Sequence, residues 1–339
     1  MRIKLRRLVA ALAWVYLGLL FAWLALYLLT GERLLLIALL DTLAVYLFAP
    51  LPLVTLAAAT TRRRELWIGI AITSLAFIWL WGGLFLPPPQ RATAGGETLT
   101  VMTYNVLGWH TYSEPVIETI RQESADLVLI QELNPTLAQV LQGELRDEYP
   151  YQIFDPQTGV SGMGALSRYP LRQAAQALPL DWIGAPQELL LDWHGQVVSV
   201  VNFHMQSSTL GGLSRYGLDN QQRTRQAQAL VDFAAGAGPF IAAGDANSTP
   251  LSEAYRTLTG QLADAWQGAG FGLGHTFPGS DIPGSMRPRL AGVPVPQWLA
   301  RIDYIFLSPH FKTLQARTAR FDGVSDHRGV VAVLAWAAP

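Results

Sequence analysis

Two stretches near the N-terminus run longer than a bilayer is thick without a single charge. Residues 8–29 give 22 such positions and residues 66–86 give 21. A hydrocarbon core about 30 Å thick needs about 20 helical residues, so each stretch can span it. Between them, residues 34–60 hold one charge, Asp41, and two prolines, Pro50 and Pro52, which would kink or shorten a helix. Three transmembrane helices are expected, at about 8–29, 34–56 and 66–86. A cleaved signal peptide is the alternative for the first run. Its apolar stretch is too long, and Tyr-Leu-Leu-Thr-Gly-Glu-Arg from Tyr27 offers no small-x-small cleavage site.

The flanking cations set the orientation. Arg2, Lys4, Arg6 and Arg7 precede the first run, Arg33 stands alone in the first loop, and Arg62, Arg63 and Arg64 fill the second. Cytoplasmic loops carry the Lys/Arg excess, so the N-terminus and second loop are expected in the cytoplasm. An odd number of crossings of the plasma (inner) membrane then leaves everything after Leu86 extracytoplasmic. Asp41 would lie inside the membrane, where a carboxyl is costly. It reads as a protonated or hydrogen-bonded packing residue rather than a functional one.

The chain is 50% apolar and 14% charged, against roughly 25% charged in soluble domains, and the excess sits in this front part. Pro87, Pro88 and Pro89 would stop the third helix. The expected organisation is a transmembrane region over 1–89, a small polar linker over 90–97, and a single large domain over 98–339. From Thr98 onward there are 15 Lys/Arg against 21 Asp/Glu, a balance of −6, and Lys312 is the one lysine. The chain has no cysteine, which excludes disulfides, thiolate catalysis and cysteine metal sites.

The large domain mixes strands and helices, which suggests α+β or an α/β sandwich. Strands are expected over 99–106, 126–132, 164–168, 188–193, 196–204, 239–245, 301–307 and 329–336. Helices are expected over 113–123, with Ser113 as N-cap and Pro115 near the first turn, and over 135–145 and 220–233. Several apolar strands end in polar residues: Tyr104-Asn105, Gln131-Glu132, Asn202-Phe-His204 and Gly244-Asp-Ala-Asn247. Ser325-Asp-His327 adds a similar cluster before the last strand. Such side chains cannot all be buried unpaired. If the strand ends gather, their oxygens suit a hard cation such as Mg²⁺ or Mn²⁺.

In order along the chain, Thr103-Tyr-Asn-Val, Asp126-Leu-Val-Leu-Ile-Gln-Glu, Leu166-Ser-Arg-Tyr-Pro, Asn202-Phe-His, Gly244-Asp-Ala-Asn-Ser-Thr-Pro, Arg301-Ile-Asp-Tyr-Ile and Ser325-Asp-His resemble the motifs of the endonuclease/exonuclease/phosphatase superfamily, the deoxyribonuclease-like fold. Each motif is weak alone; seven in order are specific. The resemblance implies a four-layer α/β sandwich, two packed mixed sheets flanked by helices, with the site at one end. It also implies metal-dependent hydrolysis of a phosphoester. Carried over by position, Glu132 is the main metal ligand, with Asn105 and Asp326 nearby. Asp245 and Asn247 position the attacking water and the phosphate. His327, held by Asp303, is the general base or orients the phosphate, and His204 contacts the phosphate or acts as general acid. The chemistry is coherent: a divalent ion supplies Lewis acidity, imidazole moves protons near neutral pH, and a carboxylate behind it fixes the tautomer.

Other residues read more plainly. Arg168 caps a strand, and Arg223 and Arg225 form a solvated helix face. His110, His194 and His310 are bystanders. His275, before Thr276-Phe-Pro, is a candidate substrate contact at the site mouth. Residues 206–220, with glycines at 211, 212 and 217, read as a mobile loop and a substrate lip.

Fold cannot choose the substrate. Long nucleic acids favour a basic surface, and this domain is acidic. A tether to the bilayer raises the effective concentration of lipid head groups. The expected partners are therefore the bilayer and a lipid-linked or small phosphoester. An extracytoplasmic nuclease acting on DNA or RNA is the alternative within enzymes. A non-catalytic membrane scaffold is the alternative outside them, and it would be favoured by a missing site residue; none is missing.

Overall fold

The computed structural model describes residues 2–86, 96–174, 178–208 and 215–337. It divides into two compact units, Met1–Leu86 and Pro87–Pro339.

In the first unit, α1 (Arg2–Thr30), α2 (Leu35–Thr42), α3 (Leu51–Thr61) and α4 (Arg64–Trp81) carry most of the chain. Three stretches are long and apolar enough to cross a membrane: Lys4–Arg33, Ala44–Thr61 and Arg64–Phe85. The middle one departs from expectation. Residues 34–56 are not one helix, because α2 stops at Thr42, a 3₁₀ turn covers Ala44–Phe48, and α3 starts after Pro50 with Pro52 in its first turn. Proline lacks the N–H that a continuous helix needs, so the break falls there. Ala13 and Leu17 of α1 pack with Val54, Ala57 and Ala58 of α3 and with Leu66 and Ile70 of α4. Asp41 is buried, and Trp23 Nε1 donates to its Oδ1 at 2.9 Å.

The second unit is built on two six-stranded mixed sheets. Its strands are β1 (Thr98–Asn105), β2 (Leu127–Gln131), β3 (Tyr151–Asp155), β4 (Met163–Ser167), β5 (Leu171–Gln173), β6 (Gly184–Trp193), β7 (Gln196–His204), β8 (Phe240–Asp245), β9 (Ala263–Asp264), a small hairpin β10 (Arg289–Leu290) and β11 (Val293–Pro294), β12 (Asp303–Leu307), β13 (Phe311–Thr318) and β14 (Val330–Trp336). One sheet runs β13-β14-β1-β2-β4-β3 and the other β5-β6-β7-β8-β12-β9. Helices α5 (Glu114–Glu123) and α6 (Pro135–Glu144) bury Val116, Ile120, Leu137 and Leu141 on the first sheet. Helix α7 (Tyr216–Ala235) and the short α8 (Glu253–Thr259) bury Leu230 and Leu258 on the second, and α9 (Ala265–Ala269) completes the helices. Two mixed sheets flanked by helices are the expected sandwich.

Strand periodicity then decides which residues meet between the sheets. Met102 and Tyr104 of β1, Val128 and Ile130 of β2, Val201 and Phe203 of β7, Ala242 of β8 and Tyr304 and Phe306 of β12 point to the helical layers. With a period of two, Asn105, Gln131, Asn202, His204, Asp245 and Asp303 point the other way, into the inter-sheet space. Register aligns them in rows: Asn105 opposite Gln131, and His204, Asp245 and Asp303 side by side. Gln131 Nε2 donates to Asn202 Oδ1 at 2.7 Å, and Asn202 Nδ2 reaches the carbonyls of Ile130 and Gly164 and Gln187 Oε1, each at 3.0 Å.

Two local expectations change. Ser113 precedes α5 without a side-chain capping bond. Helix α7 begins at Tyr216, inside the expected loop 206–220, whose residues 209–214 lie outside the described residues, as do residues 87–95 of the expected helix stop and linker.

Candidate active site

At the polar ends of β1, β2, β7, β8 and β12, a pocket of about 60 Å³ is lined by Glu132, His204, Asp245, Asn247, Asp326 and His327 together with Val160, Ile183, Ser207, Phe277, Met286 and Ile302. Six of the nine sequence candidates line it. Asn105 and Asp303 stand directly behind it. His275 does not reach it: its ring bonds the Trp298 carbonyl at 2.7 Å, and Phe277, two residues on, takes the place at the wall.

Each side chain is fixed by its neighbours. Glu132 follows β2 in a left-handed conformation, φ 61°, which turns its carboxylate into the pocket. Its Oε1 accepts from Asn105 Nδ2 at 3.0 Å and its Oε2 from the Gly108 amide at 3.0 Å. Residue 108 must be glycine for that approach, since a Cβ there would lie 1.8 Å from the Gly159 carbonyl oxygen. The same Asn105 Nδ2 bridges to Asp245 Oδ2 at 3.1 Å, while Asn105 Oδ1 accepts from the Leu107 amide at 3.1 Å. Asp245 Oδ1 accepts from the Asn247 amide at 2.8 Å, and Asn247 Nδ2 is tied to the Met205 carbonyl at 3.0 Å. His327 Nδ1 donates to Asp303 Oδ2 at 2.9 Å, leaving Nε2 aimed into the pocket, 3.7 Å from Asp245 Oδ2. His204 Nε2 lies 3.5 Å from the same oxygen.

The 322–327 loop is anchored by residues that the sequence reading did not single out. Tyr104 donates its hydroxyl to Asp322, which caps the amides of Val324 and Ser325. Ser325 Oγ donates to the Asn105 carbonyl at 2.7 Å and accepts from the His327 amide at 3.0 Å. The Met286 amide donates to Asp326 Oδ2 at 2.7 Å. The Tyr-Asn and Ser-Asp-His pairings were the signals for Tyr104 and Ser325; Met286 acts through its backbone and leaves none.

Arg223 corrects an expectation. It is buried, not solvated, and donates to the Gln206 carbonyl and Ser208 Oγ, holding the segment that brings Ser207 to the pocket. Arg225 is exposed, and Arg168 bonds Ser124 at the end of its strand, both as read.

Electrostatically the site is overloaded with negative charge. Glu132, Asp245, Asp303 and Asp326 are all buried, and among the described lining residues there is no Lys or Arg. Burial, reinforced by Asp326, pushes the Glu132 carboxyl up to about 7 despite the bonds from Asn105 and Gly108. Burial likewise raises Asp326 and Asp245, against the pull of His327. Burial opposes charge on His327, but Asp303 and Asp245 outweigh it and raise its pKa well above the usual range. Burial, then the His327 charge, pushes His204 down to about 3, so that ring is neutral. One imidazolium cannot balance four carboxylates.

These residues fit a divalent cation. Asp303 Oδ1 is buried with no hydrogen-bond partner among the described residues, a sign of the same excess. The ligand atoms of Asp245, Asp303 and His327 lie within 4.8 Å of one another. The proton between His327 and Asp303 occupies that trio, however, so the hard oxygens of Glu132 and Asp326 are the better donors for an ion such as Mg²⁺. Asn105, expected as a ligand, turns its Nδ2 and not its oxygen to Glu132 and Asp245 and so orients those carboxylates.

A sequence profile described as the Endonuclease/Exonuclease/phosphatase family matches residues 102–327. The chain belongs to that family. Its members are phosphoester hydrolases, and the hydrolase reading of the site stands at that level. Solved structures share the fold. An endonuclease/exonuclease/phosphatase from Beutenbergia cavernae is 22% identical, with 71% of this chain and 72% of that one covered and a TM-score of 0.50. A truncated TDP2 from Caenorhabditis elegans is 17% identical over 71% and 98%, TM-score 0.54, and a 3′–5′ exonuclease from Neisseria meningitidis 19% identical over 70% and 100%, TM-score 0.52. No curated protein matches.

Proposed function

We propose that this family member is a membrane-anchored, divalent-metal-dependent phosphoesterase that hydrolyses a lipid-linked or small phosphodiester (or phosphomonoester) at the extracytoplasmic face. The observation that carries the substrate class is the lining of the pocket. Its walls are Val160, Ile183, Phe277, Met286 and Ile302, it contains no Lys or Arg among the described residues, and it belongs to a region at −6. A polymer of phosphates needs cations along its path. A single phosphoester bearing an apolar or small group needs a cup with one charged end.

Glu132 and Asp326, with Glu132 oriented by the Asn105 amide, would hold the cation, Mg²⁺ or Mn²⁺, which when bound neutralises phosphoryl oxygens and stabilises the leaving oxygen. The chain's own groups do the rest. Asp245, held by Asn105 and the Asn247 amide, orients a water for in-line attack and takes its proton as the new P–O bond forms. Asn247 and the Nε2–H of His327 bond phosphoryl oxygens whose charge grows in the transition state. Asp303 holds the His327 ring in that orientation and stabilises its imidazolium form. The neutral His204 ring, with its low pKa, is a hydrogen-bond donor to phosphate rather than a source of a proton.

The test is hydrolysis by the detergent-purified full chain with Mg²⁺ or Mn²⁺ on phospholipid, small phosphoester, DNA and RNA panels, with and without EDTA. Turnover of lipid or small esters that EDTA stops is expected. Robust DNA or RNA cleavage without such turnover makes the protein a nuclease, and no hydrolysis of any class makes it a scaffold.

A further inference from the structure

The small hairpin β10–β11 stands apart from both large sheets as a two-stranded unit of its own. Its turn, Ala291-Gly292, has φ of 49° and 82°, the positive pair that a tight two-residue hairpin demands. Register sets Leu290 directly opposite Val293, so the two apolar side chains form one cross-strand pair at the tip. That pair is left in the open: Leu290 is 78% exposed and Val293 67%. Residues 288–293 are exposed without interruption. An isolated two-stranded hairpin with an apolar tip is a poor arrangement in water.

The base of this hairpin is part of the site. Met286 lines the pocket and its amide holds Asp326. Trp109, next to the Gly108 that bonds Glu132, packs against Gly284 and Gly159 and is itself 55% exposed. Charge runs against the rest of the domain: residues 282–300 contain Arg287 and Arg289 and no Asp or Glu. Arg289 pairs with Asp281, whereas among the described residues the Arg287 guanidinium bonds backbone carbonyls, those of Val295 and Gly279. An exposed apolar tip, a half-exposed tryptophan packed on Gly284 and a cation just before the hairpin are the side-chain types a bilayer surface takes: acyl chains, head-group boundary, anionic phosphate.

We propose that the β10–β11 hairpin inserts Leu290 and Val293 into the lipid–water interface of an anionic bilayer, with Trp109 and Arg287 at head-group level. The pocket mouth is thereby set against the lipid phosphates. The occupant is a lipid surface, and the chain's own membrane-spanning stretches keep one within reach. The catalytic consequence rests on the lipid-linked reading above; the docking itself does not.

The cysteine-free chain permits a direct test. Full-length Leu290→Cys, labelled with an environment-sensitive dye, is reconstituted in phosphatidylcholine liposomes containing phosphatidylglycerol. Gln261→Cys, exposed near the opposite ends of the strands, serves as the reference. Blue-shifted emission at 290, quenched by acyl-chain spin-labelled lipid and absent at 261, is expected. Water-like emission at 290 overturns the proposal, and so does a blue shift that lipid quenchers leave untouched, which would mean a protein partner. In the Leu290→Ser/Val293→Ser variant, turnover of a bilayer-embedded phosphoester should fall about tenfold with hydrolysis of soluble bis(p-nitrophenyl) phosphate unchanged. Equal turnover by variant and parent on a bilayer substrate that the parent does hydrolyse also overturns it. Should no lipid be turned over at all, the function proposal fails while the dye still reports insertion.

Discussion

A carboxylate such as Glu132, buried beside Asp326, is held in place by the fold but not welcomed by it. Its pKa of about 7, against an ordinary 4.5, means the folded chain binds its proton more tightly than the unfolded chain does. The stabilising protonated form is complete below about pH 4.5 and is lost as pH rises to about 7, a change of at most about 3 kcal/mol. Chelator-treated protein should therefore show an unfolding temperature that falls across that window. Millimolar Mg²⁺ should raise it again at pH 8, and Glu132→Gln should shrink both effects, Asp245 and Asp326 keeping the remainder, while hydrolysis drops by about 10²–10⁴-fold. A flat profile in the chelated parent would mean that the carboxylate is better solvated than its burial implies. Asp303 makes a second test. Asp303→Asn preserves the shape behind His327 but not the charge, so kcat should fall by about 10²–10⁴-fold with circular dichroism unchanged. Kinetics equal to the parent would remove Asp303 from the machinery.

At the level of elements, the two sheets are joined through polar residues as well as apolar ones. Asn202 serves Gln131, Gln187 and two carbonyls at once, so Asn202→Leu would strand several buried groups at about 1–3 kcal/mol each. A loss of about 2–4 kcal/mol in denaturant unfolding of the catalytic unit is expected, and a change below about 0.5 kcal/mol would show that the network is dispensable. Here the sequence was informative where burial leaves a signature. The apolar runs of β1, β2, β7, β8 and β12 could be read because the first four end in Asn, Gln-Glu, His or Asp and β12 begins with Asp303. Strand β13 escaped because Lys312, Gln315 and Arg317 interrupt it and its pairing with β14 carries a register shift, so no clean alternation survives. Strand β3 is exposed at both ends and lies at a sheet edge, and α8 and α9 are too short to show a helical period. Arg223 misled because its charge suggests solvent, whereas its carbonyl and hydroxyl partners lie on a loop distant in sequence. The polar ends could be named from the chain; that Asn105 bridges Glu132 to Asp245 depends on the β1–β2 register and on how the two sheets pack, which no single strand encodes.

For the whole molecule, the remaining variable is which side of the membrane holds the chemistry. Three stretches can cross, and three crossings would separate the N-terminus from residues 98–339. The cations flank them unevenly: four before the first stretch, Arg33 alone after it, and Arg62, Arg63 and Arg64 before the third. Each short cytoplasmic loop prefers its Lys/Arg because translocating them is unfavourable, so the distribution argues for an extracytoplasmic catalytic unit. The helix break before Pro50 does not alter this, since Ala44–Thr61 is still long and apolar enough to cross. Alkaline phosphatase, which folds to activity only outside the cytoplasm, should be active when fused after Leu86 and inactive when fused after Arg63. Exchanging Arg62, Arg63 and Arg64 for glutamine while adding arginines beside Arg33 should weaken or invert that pattern, because the count and not the helices then points the other way. Activity after Arg63 and silence after Leu86 in the parent would put the carboxylate pocket in the cytoplasm, where the lipids within its reach belong to the inner leaflet.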